Sequence, residues 1–279
     1  MKKWITVLGV ISALVVGERV YHFATDGFYE SRIVANLPNR EEWESPITPP
    51  EGALLQPYYY LGCGGQSFVF TSEDGKFVLK FFKHHRWKKT LWNILHGRSE
   101  EERVYSRDHS LRSAIYALKY LPSESRVEYV HLNTGDHQLP TVTCIDRLTR
   151  VHHFDLNKYQ FLLQRKGCTL KEQLLKRKKK GDLEGAKQDI KNTLNLYIAC
   201  HQKGIENHDP KVLRNFGFFK DTPIVIDSGA LWEYLGENPA PIPIEKMKKE
   251  TQSLIKWAKI HYPPLTQTIE EWINDYSVN

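Results

Sequence analysis

Two short stretches, far apart in the chain, carry residue types suited to handling phosphate. The first is Leu61-Gly-Cys-Gly-Gly-Gln-Ser-Phe-Val69, followed by Phe77-Val-Leu-Lys80. Gly62, Gly64 and Gly65 let backbone N–H groups approach phosphate oxygens closely, because a residue without Cβ adopts turn geometries that other residues resist. Lys80, inside an apolar run, adds a fixed positive charge. The second stretch is Asn207-His-Asp209, then Asn215, then Ile224-Val-Ile-Asp-Ser-Gly229. Asp209, Asn215 and Asp227 offer the hard oxygen donors that Mg²⁺ takes, with one carboxylate to spare for orienting an attacking hydroxyl.

In order and spacing the two stretches resemble the protein-kinase-like superfamily. Gly62-x-Gly64-x-x-Ser67-x-Val69 follows that family's loop pattern, with Ser67 at the third glycine. Val78-Leu-Lys80 is similar to the strand that carries the nucleotide-binding lysine. Asp209 falls at the catalytic-loop aspartate, Asn215 at the metal-binding asparagine, and Asp227-Ser-Gly229 at the Asp-Phe-Gly element. The resemblance spans roughly residues 55 to 235. It implies an α+β, bilobal fold, with an antiparallel-sheet N-lobe over 55–166 and a helical, truncated C-lobe over 167–279. It further implies ATP and Mg²⁺ as cofactors. Gly62, Gly64, Gly65, Ser67 and Val69 would then cover the nucleotide, Lys80 would contact its α- and β-phosphates, and Asn215 and Asp227 would hold the metal. Asp209 would orient a hydroxyl acceptor on a small molecule, lipid or protein for attack on the γ-phosphate.

Three departures from the pattern keep a second reading open. Asn207 stands two residues before Asp209, where the family has histidine. Asn215 follows Asp209 by six positions, one more than usual, and Ser228 replaces the phenylalanine. A pseudokinase scaffold, with or without nucleotide, is the alternative these changes favour. A kinase-like site also needs an acidic partner for Lys80. Ser99-Glu-Glu-Glu102 opens a helix with a capping box, and Glu101 lies at the edge of its apolar face. Glu101 is the expected partner, with Asp108 behind it and Glu102 explained by the cap. A solvated acidic first turn is the competing account.

At 279 residues, 41% hydrophobic and 26% charged, the chain can bury a full core. Its formal net charge of +6 gathers in Lys83-His-His-Arg-Trp-Lys-Lys89 and Lys176-Arg-Lys-Lys-Lys180. Each run reads as a solvated face or as a contact for a phosphate-rich partner. Nucleic acid is disfavoured, since no zinc finger, RNA-recognition signature or basic zipper accompanies them. The four cysteines (Cys63, Cys144, Cys168, Cys200) show no paired spacing and suit a reducing compartment. Residues 1–24 form a separate hydrophobic segment. Trp4 to Val16 is the length of a signal-peptide core, and extending it brings in Glu18, Arg19 and His22. A membrane anchor through residues 4–24, a cleaved signal and a helix packed on the body are all compatible, with the body expected on the cytoplasmic side.

The remaining elements must position these residues. Prolines at 38, 46, 49 and 50 make residues 25–54 read as an extended linker. Tyr58 to Phe82 reads as a glycine-loop hairpin and its following strand, and 141–146 and 159–165 as further strands. Gln164-Arg-Lys-Gly167 falls where the resemblance places the hinge whose backbone holds adenine. Helices are expected over 170–180, 183–203 and 245–261, with a last one near Thr268. Only 52 residues follow Asp227. That leaves little room for a peptide-substrate platform and favours a small-molecule or lipid-type relative.

Overall fold

The structure, a computed structural model, describes residues 2–88, 97–209, 211–234 and 239–278. Lys89, at the end of the first basic run, lies outside them. The protein is a mixed α+β chain in two compact units, Met1–Arg103 with His131–Leu163, and Val104–Val130 with Gln164–Asn279. Residues 104–130, ahead of the boundary expected at 166, thus group with the second unit.

The strands, in chain order, are β1 (Tyr58–Cys63), β2 (Ser67–Ser72), β3 (Phe77–Phe82), β4 (Val127–His131), β5 (Thr141–Ile145) and β6 (Val151–Asp155). They continue with β7 (Phe161–Arg165), β8 (Cys168–Thr169), β9 (Ile205–Asn207), β10 (Phe216–Phe219), β11 (Thr222–Val225) and β12 (Leu231–Tyr234). A seven-stranded sheet runs in the order β4-β7-β3-β2-β1-β5-β6, and the chain crosses between the units within β4 and β7. The sheet is not purely antiparallel as expected, because β1 pairs parallel with β5, Tyr58 lying opposite Cys144.

Within the first unit, alternation along β2 turns Phe68 and Phe70 inward, and Phe28 packs edge-on against both rings at 5.1 and 5.3 Å. Tyr60, His152 and Phe154 complete the cluster around Phe28. Residues 25–54 are therefore no free linker. Phe28, Ile33, Trp43, Ala53 and Leu54 are all buried. The backbone between them is tied down by reciprocal bonds of Asn133 with Arg40 and of Asn39 with Thr134. The prolines punctuate the segment, while the apolar residues between them decide where it goes.

The helix Lys2–Thr25 is fastened at its C-terminal end. Tyr21 stacks on Tyr29 at 4.7 Å and accepts from Arg150, and Asp26 pairs with Arg147 at 2.6 Å. Among the described residues no helix is long and apolar enough to cross a membrane. Glu18, Arg19 and His22 interrupt this one's apolar run.

The core of the second unit forms between the helices Leu170–Lys179, Leu183–Gln202, Ile244–His261 and Leu265–Val278. Leu174, Ile190, Leu194, Leu254, Leu265 and Ile269 are fully buried there. Thr169 and Glu172 form a capping box on the first of these helices. Two small sheets, β11-β10-β8 and β12-β9, lie in the same unit. Gln164, in the expected hinge, spends its side-chain amide on the carbonyls of Ser125 and Val225, at 2.6 and 2.9 Å.

Candidate functional site

The glycine turn joins β1 to β2 and is closed by Gly64 N–H donating to the Ser67 carbonyl at 2.9 Å. Across the hairpin Gly62 faces Val69, and across the next ladder Val69 faces Lys80. Register alone therefore puts Lys80 beside the turn's distal arm. Every position of β3 is buried, Lys80 included at 7% exposure. A lysine this deep has lost most of its water and needs compensating polar contact.

Beneath the turn lie two cations that charge patterning could not single out. Lys83 is buried, donates through Nζ to the Gly64 carbonyl at 2.7 Å, and sits 4.5 Å over the Phe68 ring. Burial pushes its ammonium pKa down. Arg86 reaches the Gly65 carbonyl. The run Lys83–Arg86 is thus built into the turn, correcting its reading as a solvated face. A charge run looks the same in sequence whether its members face water or grip a backbone.

In the second unit, the three oxygen-bearing residues nominated by sequence come together through backbone bonds. Asn215 ends the short helix Val212–Asn215, and its Nδ2 donates to the Asp209 carbonyl at 2.5 Å. Its own carbonyl accepts from Ile226 N–H at 2.7 Å and Asp227 N–H at 3.2 Å. One residue therefore holds both the aspartate loop and the end of β11. Asn207, where histidine was the family's choice, accepts the Asp209 N–H at 3.0 Å through its side chain.

These donors suit Mg²⁺ in number and kind. The Asn215 amide nitrogen is spent on the Asp209 carbonyl, so only its side-chain oxygen would be available to a metal. Asp227 is exposed, with Oδ1 accepting from Gly229 N–H at 3.0 Å. An amide oxygen and one carboxylate leave most of the octahedron to water and phosphate, the usual Mg²⁺ arrangement. Among the described residues no cluster of three or more His, Cys, Asp or Glu side chains could hold a metal by itself. The Asp209 carboxylate pairs with Lys211 at 2.9 Å, both ends solvated, so the pair is weak and easily exchanged.

Sequence reasoning missed the support behind this loop. Glu206 receives Lys246 on one oxygen and His208 on the other. Burial raises its carboxyl pKa, but the hydrogen bonds and positive charges of Lys246 and His208 together outweigh it and the net shift is downward. Lys246 comes from the Ile244–His261 helix, so no local pattern could pair it with Glu206. Glu101 is the partner expected for Lys80. It is exposed in the first helical turn and makes no ion pair among the described residues. Backbone hydrogen bonding at the helix start, with Ser99, holds its carboxyl pKa below the usual range. Glu102 completes the capping box with Ser99, and Asp108 pairs with Arg107 at 2.7 Å.

No family model matches the chain, and no curated protein does. Among solved structures, the bifunctional kinase-methyltransferase WbdD is similar at 14% identity with a TM-score of 0.38. The match covers 76% of this chain and 42% of that one, so the chain spans less than half of that protein's length. A likeness of this size leaves the reading of the site to the chain's own residues.

Proposed function

We propose that the protein is an ATP- and Mg²⁺-dependent phosphotransferase of bilobal, kinase-like fold, moving the γ-phosphate to a hydroxyl acceptor. The observation that carries this reading is the joining of Asp209, Asn215 and Asp227 by backbone-directed hydrogen bonds, since sequence order had nominated all three. The turn from Gly62 to Ser67, with Val69, receives the polyphosphate, and Lys80 supplies charge to it. Asn215 and Asp227 would hold Mg²⁺, which would supply charge neutralisation at the phosphate oxygens. The Asp209 carboxylate leaves Lys211, orients the acceptor hydroxyl and takes its proton.

A γ-phosphate transfer assay checks this. Asp209→Ala should lower turnover by about 10²- to 10⁴-fold, with ATP affinity nearly intact. Unchanged turnover would remove Asp209 from the mechanism. The longer loop and Ser228 favour a second reading, a nucleotide-binding scaffold. That reading predicts stabilisation by ATP, about 2.7 kcal/mol at a hundred times Kd, without transfer to any acceptor.

A further inference from the structure

Two peptide planes of the glycine turn are held by side chains. Lys83 Nζ holds the Gly64 carbonyl and Arg86 holds the Gly65 carbonyl. In a trans peptide the C=O and the following N–H point in opposite directions. Fixing the Gly64 oxygen therefore fixes the Gly65 N–H away from Lys83, and fixing the Gly65 oxygen turns the Gln66 N–H away from Arg86. Neither N–H makes a hydrogen bond among the described residues, whereas the flanking Gly64 N–H and Gln66 carbonyl are both engaged, with Ser67 and Lys83. Successive unengaged N–H groups form a concave anion-binding site. Among the described residues Lys83 makes no ion pair with a carboxylate; besides the Gly64 carbonyl it lies against the Cys63 side chain and the Phe68 ring.

We infer that Lys83 and Arg86 are positioning residues for a polyphosphate. They aim the Gly65 and Gln66 N–H groups at it and add positive charge behind the turn. This rests on the phosphotransferase reading and extends it to two residues outside the glycine and lysine motifs. A turn built only for packing gains nothing from a buried ammonium, whose desolvation is costly. One serving an anion gains charge that strengthens with phosphate present.

The test is calorimetric titration of the full-length protein with Mg·ATP, adenosine and inorganic tripolyphosphate. Lys83→Met and Arg86→Gln should each weaken ATP and tripolyphosphate by about ten- to hundredfold, the range of a charge-assisted hydrogen bond. Adenosine affinity and the thermal midpoint of Arg86→Gln should not move, and Lys83→Arg should recover most of the ATP affinity. Should Lys83→Met fail to fold, Lys83→Arg and the exposed Arg86 decide the matter. Unchanged ATP affinity, or equal losses for ATP and adenosine, would overturn the inference while leaving the phosphotransferase reading in place. A wild-type protein that binds neither ATP nor tripolyphosphate would overturn both.

Discussion

Asn215 shows how much one side chain can organise. It is buried, donates to the Asp209 carbonyl, and accepts with its backbone from Ile226 and Asp227. Aspartate at this position would keep an oxygen for a metal but lose the donor, setting a carboxylate against a carbonyl. Asn215→Asp should therefore cost about 1–3 kcal/mol of stability, the penalty for a buried polar group left without its partner. Urea unfolding measures this, and an unchanged midpoint would show that the Asn215–Asp209 bond contributes nothing. The grouping of Asp209, Asn215 and Asp227 was legible because the resemblance rests on their order in the chain. Lys83, Arg86 and Glu206 were not, because their partners are backbone carbonyls or side chains from distant elements.

At the scale of elements, the strap formed by residues 25–54 is the part that composition concealed. Its prolines suggest an extended chain, yet Phe28 fills the centre of the aromatic cluster on β1, β2 and β6. Phe28→Ala should destabilise the protein by about 3–5 kcal/mol through lost burial and the cavity left behind. Differential scanning calorimetry would register this as a lower midpoint, and an unaltered one would mean that the strap is dispensable. Elements with strong periodicity or caps could be read to within a residue or two, as with Leu183–Gln202 and the capped Leu170–Lys179. Short strands such as β9, β10 and β12 could not be. A run of three or four residues has no period to detect, and its pairing partner lies elsewhere in the chain.

For the whole molecule, acid should act through buried imidazoles. Burial pushes the His85 pKa down to about 4, with the charge of Arg32 adding to the effect, and pushes His131 down to about 4, with His137 adding. Both rings are neutral in the fold, while the unfolded chain takes up protons near pH 6.5. Between those values the unfolded state binds more protons. Stability present above about pH 6.5 is therefore lost progressively as the pH falls toward 4. Thermal melts across that window should show a falling midpoint, and the slope should flatten in a His85→Gln, His131→Gln double variant. A midpoint equally steep in the double variant would assign the acid sensitivity to other groups.

The bracing of the glycine turn has one more consequence, and it concerns entropy. A loop that closes over its ligand must give up backbone freedom at that moment, at about 1–2 kcal/mol per residue fixed. Here the planes after Gly64 and Gly65 are already fixed by Lys83 and Arg86. Most of that ordering cost falls on folding and not on binding, so under the proposed function the turn would meet an anion as a preformed cradle and not as a flap that must first settle.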